Sequence, residues 1–381
     1  MPNISNRSTY FREENMKAIV FVAVGKEPQL VDIDLAPPGP GEVKVKIAGA
    51  GVCGSDLHIQ RGEWELPLPL VMGHEGSGMV IEIGVGVTGL EIGDHVVLSW
   101  VSPCGTCRFC MRGREAQCAL FAGLVAPNGV LHDGSSRLSR NSETLYHYLG
   151  VSSYAEYAVV PATGAIKVRK DAPLDLIAIV GCAVATGVGA VKNTTKVPAG
   201  STVAVIGCGG VGLSVVQGAR LAGASRIIAI DINSSKVELA LQLGATDAIS
   251  ISPDDDSAAK LCELIPEGVD FAFDAIGHTS TTEAVVRMLA LGGAAVIVGL
   301  PRVGAKAYFE PLALAEADQK ILGSNYGSIR PAEDIPWLVD QYMEGNLKFE
   351  EMVSARRPLS EAVQALADLE HGVALRQILI P

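Results

Sequence analysis

The chain has 381 residues, 48% hydrophobic and 19% charged, enough for two domains with cores of their own at about 100 to 200 residues each. Thirty basic side chains stand against forty-two acidic ones, a net charge of −12 that repels nucleic acid and anionic lipid, with no compensating run of Lys and Arg. No uninterrupted apolar run approaches the roughly 20 residues that a membrane helix requires, so the sequence predicts a soluble protein with neither membrane nor nucleic acid as partner.

Residues 1–15, MPNISNRSTYFREEN, lack the apolar core and small-residue cleavage site of a secretion signal. They read as an N-terminal extension of a cytoplasmic protein, with the first strand beginning at Met16. From 17 to 100, short β-rich runs such as EVKVKIAGAG and HVVLSW alternate with Gly and Pro turns, the pattern of a small β-barrel-like domain. Cys104, Cys107, Cys110 and Cys118 follow at the spacing C-x2-C-x2-C-x7-C. In a reducing compartment clustered cysteines favour metal over disulfides. Four thiolates complete tetrahedral zinc and leave no position for water or substrate, so this site is expected to be structural. The stretch 119–148, rich in Gly, Ser and Arg, predicts a long surface loop.

Near residue 184 the texture changes. STVAVIGCGGVGLSVVQGARLAGASRIIAIDIN, VDFAFDAIG, TSTTEAVVRMLAL and GGAAVIVGL alternate strand and helix to about 325, which predicts a parallel, doubly wound α/β unit. Gly207, Gly209 and Gly212, with Gly210 in the same turn, form G-x-G-x-x-G between an apolar strand and a helix, a fit for a dinucleotide pyrophosphate at the helix N-terminus. The strand RIIAI ends on Asp231, nineteen residues beyond Gly212, where a carboxylate accepts hydrogen bonds from ribose hydroxyls and repels a 2′-phosphate, favouring NAD over NADP. Cys208 and Cys262 show no metal spacing and read as inert thiols. The last segment, ending in LRQILIP, is expected to return to the first domain, giving a catalytic domain of 16–183 with 326–381 and a dinucleotide domain of 184–325.

Three other residues suggest a second metal site. Cys53 in GVCGSDLHIQ, His74 in VMGHEGSG and Cys182 in GCAVATG make a Cys, His, Cys set that leaves a fourth zinc position open for water or an alcohol. Its coincidence with a dinucleotide fingerprint strengthens it.

With the four-cysteine lobe and the Gly-rich strand, turn and helix, these motifs resemble the zinc-dependent medium-chain alcohol dehydrogenases over about residues 17–381. The 119–148 stretch resembles the longer members, as in animal alcohol dehydrogenases and glutathione-dependent formaldehyde dehydrogenases. The resemblance implies a GroES-like β-rich catalytic domain beside a Rossmann domain, with two zinc ions and NAD. It also implies that Cys53, His74 and Cys182 bind the catalytic zinc, with Glu75 as an occasional ligand or a group behind the metal and Asp56 orienting His74. Hydride then passes from the alcohol to NAD, and the proton leaves through Ser55 and the nicotinamide ribose to His58. By the same resemblance Thr186 lies beside the nicotinamide, Val211 and Val298 back it, Lys236 touches a ribose and Arg376 the pyrophosphate.

Departures from the family pattern bear on substrate. Gly54 stands where members often carry an Arg or His phosphate contact, and Trp64 and Ala122 stand where the glutathione-dependent enzymes place an acid and an arginine. Trp64 and Trp100 are expected to wall the pocket, suiting primary aromatic or medium aliphatic alcohols. Polyol, amino-alcohol or thiol-adduct (formaldehyde) oxidation on the same scaffold, or NAD sensing without turnover, are the other readings. A homodimer is expected, with a homotetramer as the alternative.

Overall fold

The structure, a computed structural model, describes residues 14–373 and 375–381. The first strand, Glu14–Phe21, begins two residues before the expected Met16, and the rest of the predicted extension lies outside the described residues.

Two β-systems build the catalytic part. One is a closed barrel of the strands Glu14–Phe21, Gln29–Leu35, Leu138–Arg140, Glu143–His147 and Leu70–Val71. The other is a sheet centred on Glu42–Gly51, which pairs with Gly76–Ile83 and Tyr157–Pro161 and, at its end, with Arg376–Ile380 through Ile378 opposite Gly51. That last pairing returns the C-terminal segment to the first domain. The centre strand reads EVKVKIAGAG, an alternation that would leave one face wet, yet nearly every residue is buried. Lys44 tolerates burial because its ammonium pairs with Glu14 and lies 5.1 Å from the centre of the Tyr157 ring.

The stretch 119–148 is not a surface loop. Phe121–Val125 and Ala126–Asn128 are helical, Leu138–Arg140 and Glu143–His147 are barrel strands, and Phe121, Val125, Leu131, Leu138, Leu145 and His147 are buried. Its polar residues are also engaged: the Arg137 guanidinium donates to both Glu42 oxygens, at 2.8 and 2.9 Å, and to Asp133 at 2.6 Å. The apolar residues follow no local period because their partners come from distant strands, so the sequence read as loop.

The dinucleotide domain holds six parallel strands in the order Asp247–Ser250, Arg226–Asp231, Thr202–Ile206, Val269–Asp274, Leu289–Ile297 and Lys320–Gly323. Runs such as TVAVI are apolar throughout because both faces are covered. Val203 and Val205 pack with Leu213 and Val216 of the helix Gly210–Leu221, while Ala204 and Ile206 pack with Leu261 and Val285 on the opposite face. The strand order reverses beside Thr202–Ile206, which opens a crevice at the carboxyl ends of the strands.

Candidate active site

Each element delivers its functional side chain at an end. Cys53 caps the start of the helix Gly54–Gln60, His74 and Glu75 lie in the link between Leu70–Val71 and Gly76–Ile83, and Cys182 joins the turn Leu176–Gly181 to the helix Ala183–Gly189. The fold brings all four together: their ligand atoms lie within 4.8 Å of one another, and all four residues are buried. Asp56 is fully buried behind them. Its Oδ1 lies 3.2 Å from His74 Nδ1, and its Oδ2 accepts the Cys53 amide at 2.9 Å and the Tyr154 hydroxyl at 2.8 Å. With Nδ1 engaged, His74 Nε2 is buried without a hydrogen-bond partner among the described residues. A bare imidazole nitrogen facing two thiols fits a zinc ion, which would satisfy it.

Close packing within this cluster shifts the titration of all four groups. The adjacent Cys182 thiol holds the Cys53 thiol well below its usual range against burial, with His74 and Arg376 assisting, while Cys53 and burial push Cys182 well up. Burial alone would lower His74, but the Asp56 carboxylate overrides it and holds the imidazole well above its ordinary value. Burial pushes Glu75 up to about 7 although Arg376 pulls the other way. Arg376 Nη2 pairs with Glu75, and the Arg376 Nε lacks a partner among the described residues. Glu75 therefore faces both the ligand set and a guanidinium.

Cys104, Cys107, Cys110 and Cys118 form a second set within 4.8 Å. Main-chain amides point at the sulfurs: Cys104 N to Cys118 Sγ at 3.3 Å, Cys107 N to Cys104 Sγ at 3.3 Å, and Ala119 N to Cys107 Sγ at 3.4 Å. Such donors favour thiolates: the Cys110 amide, with that of Ala119, brings Cys107 down to about 6, while burial pushes Cys110 up to about 12 and Cys118 up as well. Four sulfurs around one point fit a closed tetrahedral zinc.

A cavity of about 770 Å³ runs from Cys53, His74 and Cys182 to the Gly-rich turn. Ser55, His58, Thr186, Gly209, Gly210, Val211, Lys236, Val298, Arg376, Trp64 and Trp100 all line it. Gly207 and Gly212 stand behind the turn and shape it. Gly207 has φ +93°, and a Cβ on Gly212 would collide with the Gly207 carbonyl. Asp231 accepts the Cys208 amide at 2.7 Å through Oδ2 and the Asn233 amide at 2.8 Å through Oδ1, so it holds the turn and still has lone pairs for a ligand. Gly54 leaves open space, since a Cβ there would meet nothing within 4 Å.

Sequence reasoning missed several residues. The far wall includes Phe109, Ala116 and Gln117 of the four-cysteine lobe, together with Phe121 and Tyr326. Trp100 packs on Tyr326 and Phe121 with ring centres 4.4 and 5.7 Å apart. Among the described residues no acidic side chain lines the cavity, and its Lys236, Arg376 and histidines belong to the ligand and dinucleotide ends. These residues carry no local motif. Only the position of Phe109, Ala116 and Gln117 inside a metal-stapled lobe marked them as fixed in space.

Comparison with known proteins agrees with this geometry. Residues 39–172 match the family model of the alcohol dehydrogenase GroES-like domain, and residues 210–344 that of the zinc-binding dehydrogenases. An S-(hydroxymethyl)glutathione dehydrogenase from Synechocystis sp. is 39% identical over 366 residues, 95% of this chain and 99% of that protein. Among solved structures, an alcohol dehydrogenase zinc-binding domain protein from Burkholderia ambifaria superposes with a TM-score of 0.92 at 37% identity, over 97% of this chain and 100% of that one. Benzyl alcohol dehydrogenase from Acinetobacter calcoaceticus superposes with a TM-score of 0.91 at 36% identity, over 96% and 99%.

Proposed function

The chain belongs to the zinc-dependent medium-chain alcohol dehydrogenase family, and we propose that within it the protein oxidises primary aromatic or medium aliphatic alcohols to aldehydes with NAD. The carrying observation is the cavity wall of Trp64, Trp100, Phe109, Phe121 and Tyr326, which offers flat apolar surface and no acid.

Zinc held by Cys53, His74 and Cys182 supplies a Lewis acid for the alcohol oxygen, and NAD supplies the hydride acceptor. The chain's own residues do the rest. Asp56 fixes the His74 tautomer with Nε2 toward the metal position. Glu75 serves as an alternative ligand when it leaves Arg376. Thr186, Val211 and Val298 hold the nicotinamide, Gly207, Gly209, Gly210 and Gly212 admit the pyrophosphate beside Arg376, and Asp231 and Lys236 bind ribose. Ser55 takes the alcohol proton and His58 delivers it to solvent. Cys104, Cys107, Cys110 and Cys118 hold the second zinc, which fixes the lobe that walls the pocket.

A second reading, oxidation of the hydroxymethyl adduct of glutathione, is favoured by the Synechocystis relative's name and its identity over nearly the whole length. Trp64 and Ala122 offer the anionic tripeptide no charge in the main cavity wall, while the cations Arg61, Arg302 and Lys306 line an adjoining cavity. The test is kcat/KM for benzyl alcohol, hexan-1-ol and S-(hydroxymethyl)glutathione with NAD and NADP. The main reading expects benzyl alcohol to lead by tenfold or more, about 1.4 kcal/mol; a lead for the glutathione adduct would replace it with the second.

A homodimer suits the strand Lys320–Gly323, which ends the parallel sheet with an open edge, and the nearby exposed Tyr308, Phe309 and Leu312. Light scattering distinguishes it from the tetramer. All eight cysteines are unbridged, in keeping with a cytoplasmic setting.

A further inference from the structure

We propose that Glu63 is a positioning residue for proton release: its carboxylate holds the His58 ring so that one nitrogen stays bare toward the substrate cavity. This rests on the reading of His58 as the proton exit and adds to it a residue that no sequence pattern marks.

Glu63 follows the helix that carries His58. Its amide donates to the His58 carbonyl at 2.8 Å, and its Oε2 meets His58 Nδ1. An ionised carboxylate only accepts, so Nδ1 must donate and Nε2 is left without a proton. That is the nitrogen an arriving proton requires. The ring cannot swing away, because it stacks on Trp64 with centres 4.5 Å apart and planes 14° from parallel. Trp64 and Glu63 are in turn pinned to the dinucleotide domain, by Trp64 Nε1 donating to the Pro301 carbonyl at 3.3 Å and the Val303 amide donating to the Glu63 carbonyl at 3.4 Å.

His58 lines both the main cavity and an adjoining one of about 630 Å³, so the ring stands in the wall between them. Arg61, His278, Arg302 and Lys306 line the adjoining cavity, and Glu63 is its acidic residue. Arg61 is paired with Glu370 at 2.9 Å. An imidazolium forming beside so many cations needs a counter-charge, and Glu63 supplies it by the same logic as a carboxylate behind a catalytic histidine. Nε2 gains one proton while Nδ1 keeps its own; the imidazolium then gives up the Nε2 proton to solvent, which restores the tautomer that Glu63 holds, with no electrons moved.

The test compares wild type, E63Q, E63D, H58Q and H58Q/E63Q as zinc-loaded enzymes, measuring NADH binding by fluorescence and benzyl alcohol oxidation with and without imidazole buffer. Zinc content and circular dichroism should stay at wild-type values in every variant, which verifies the fold, and NADH affinity should be unchanged in E63Q and E63D. E63Q should lower kcat roughly ten- to a hundredfold, since an amide donor toward Nδ1 places the ring proton on the wrong nitrogen. E63D should recover most of that loss, imidazole should rescue E63Q, and H58Q/E63Q should be no slower than H58Q alone. If H58Q slows the enzyme but E63Q keeps the wild-type rate, or if the two losses multiply, the role of Glu63 is overturned while His58 stands. If H58Q itself runs at wild-type rate in every buffer, the proton path through His58 fails and Glu63 falls with it.

Discussion

Asp231 anchors the Gly-rich turn through the Cys208 and Asn233 amides, and in the proposed function the same carboxylate binds the ribose. Asp231→Gly removes the acceptor and the repulsion of a 2′-phosphate together. The ratio of kcat/KM for NAD to that for NADP should fall by tenfold or more, since a hydrogen bond to a charged group is worth about 1.5 to 3 kcal/mol. An unchanged ratio would take Asp231 out of the ribose site. Trp100 tests the other end of the cavity. Aromatic pairs contribute about 0.5 to 1.5 kcal/mol beyond area, so Trp100→Ala should lower kcat/KM for benzyl alcohol by up to roughly tenfold and spare ethanol. Equal losses for both alcohols would mean that Trp100 supports the fold and does not select substrate. Both residues were singled out from the sequence, but for different reasons. Asp231 sits at a fixed offset from a glycine pattern, which a single strand, turn and helix carry whole. Trp100 rested on resemblance, and its stacking partners were invisible because no pattern links it to Phe121, twenty-one residues on, or to Tyr326, more than two hundred residues on.

At the scale of elements the same distinction governs what could be read. The parallel sheet announced itself because its central strands, such as Thr202–Ile206 and Arg226–Asp231, are largely apolar and buried and are followed by helices. The barrel did not, because its closing strands Leu138–Arg140 and Glu143–His147 are short and rich in polar residues, and their burial depends on Glu42 and on strands from the start of the chain. Arg137 and His147 mark the join: the Arg137 amide donates to His147 Nε2 at 3.2 Å, and His147 Nδ1 has no partner among the described residues. Burial pushes His147 down to about 3, with Arg137 adding to it, against about 6.5 in an unfolded chain. Below about pH 6.5 the unfolded chain therefore binds a proton that the folded barrel refuses. This contribution to stability is complete above that pH and drains away as the pH falls toward 3. Denaturant midpoints between pH 7.5 and 5 should decline, and His147→Gln, which keeps an acceptor for Arg137 but cannot titrate, should flatten the decline. A slope identical to wild type would show that other groups set the acid limit.

The whole molecule is two domains around one cleft, with one metal position in the cleft wall and another in a lobe that forms part of the same wall. The two ligand sets differ in a way that should be measurable. Cys104, Cys107, Cys110 and Cys118 present four sulfurs with amide donors behind them, which fills a tetrahedral ion and gives a chelator no vacant site to attack. Cys53, His74 and Cys182 face the cavity, and Glu75, the fourth group of the set, is paired with Arg376, so the proposed function leaves one position to solvent or substrate. Freshly purified enzyme should carry two zinc ions per chain. A bidentate chelator should remove one of them quickly and the other slowly. Activity should disappear with the first ion while circular dichroism and NADH binding persist, because the sheet and the Gly-rich turn do not depend on that metal. Loss of the second should loosen the lobe that bears Phe109, Ala116 and Gln117, so the melting temperature should fall only in the slow phase. Cys107→Ser separates the phases genetically: it should lower thermal stability and the affinity for benzyl alcohol together, since the lobe is both staple and pocket wall. One zinc per chain in fully active protein, or a single release phase in which activity and melting temperature fall together, would show that the two ligand sets do not divide the work between chemistry and structure.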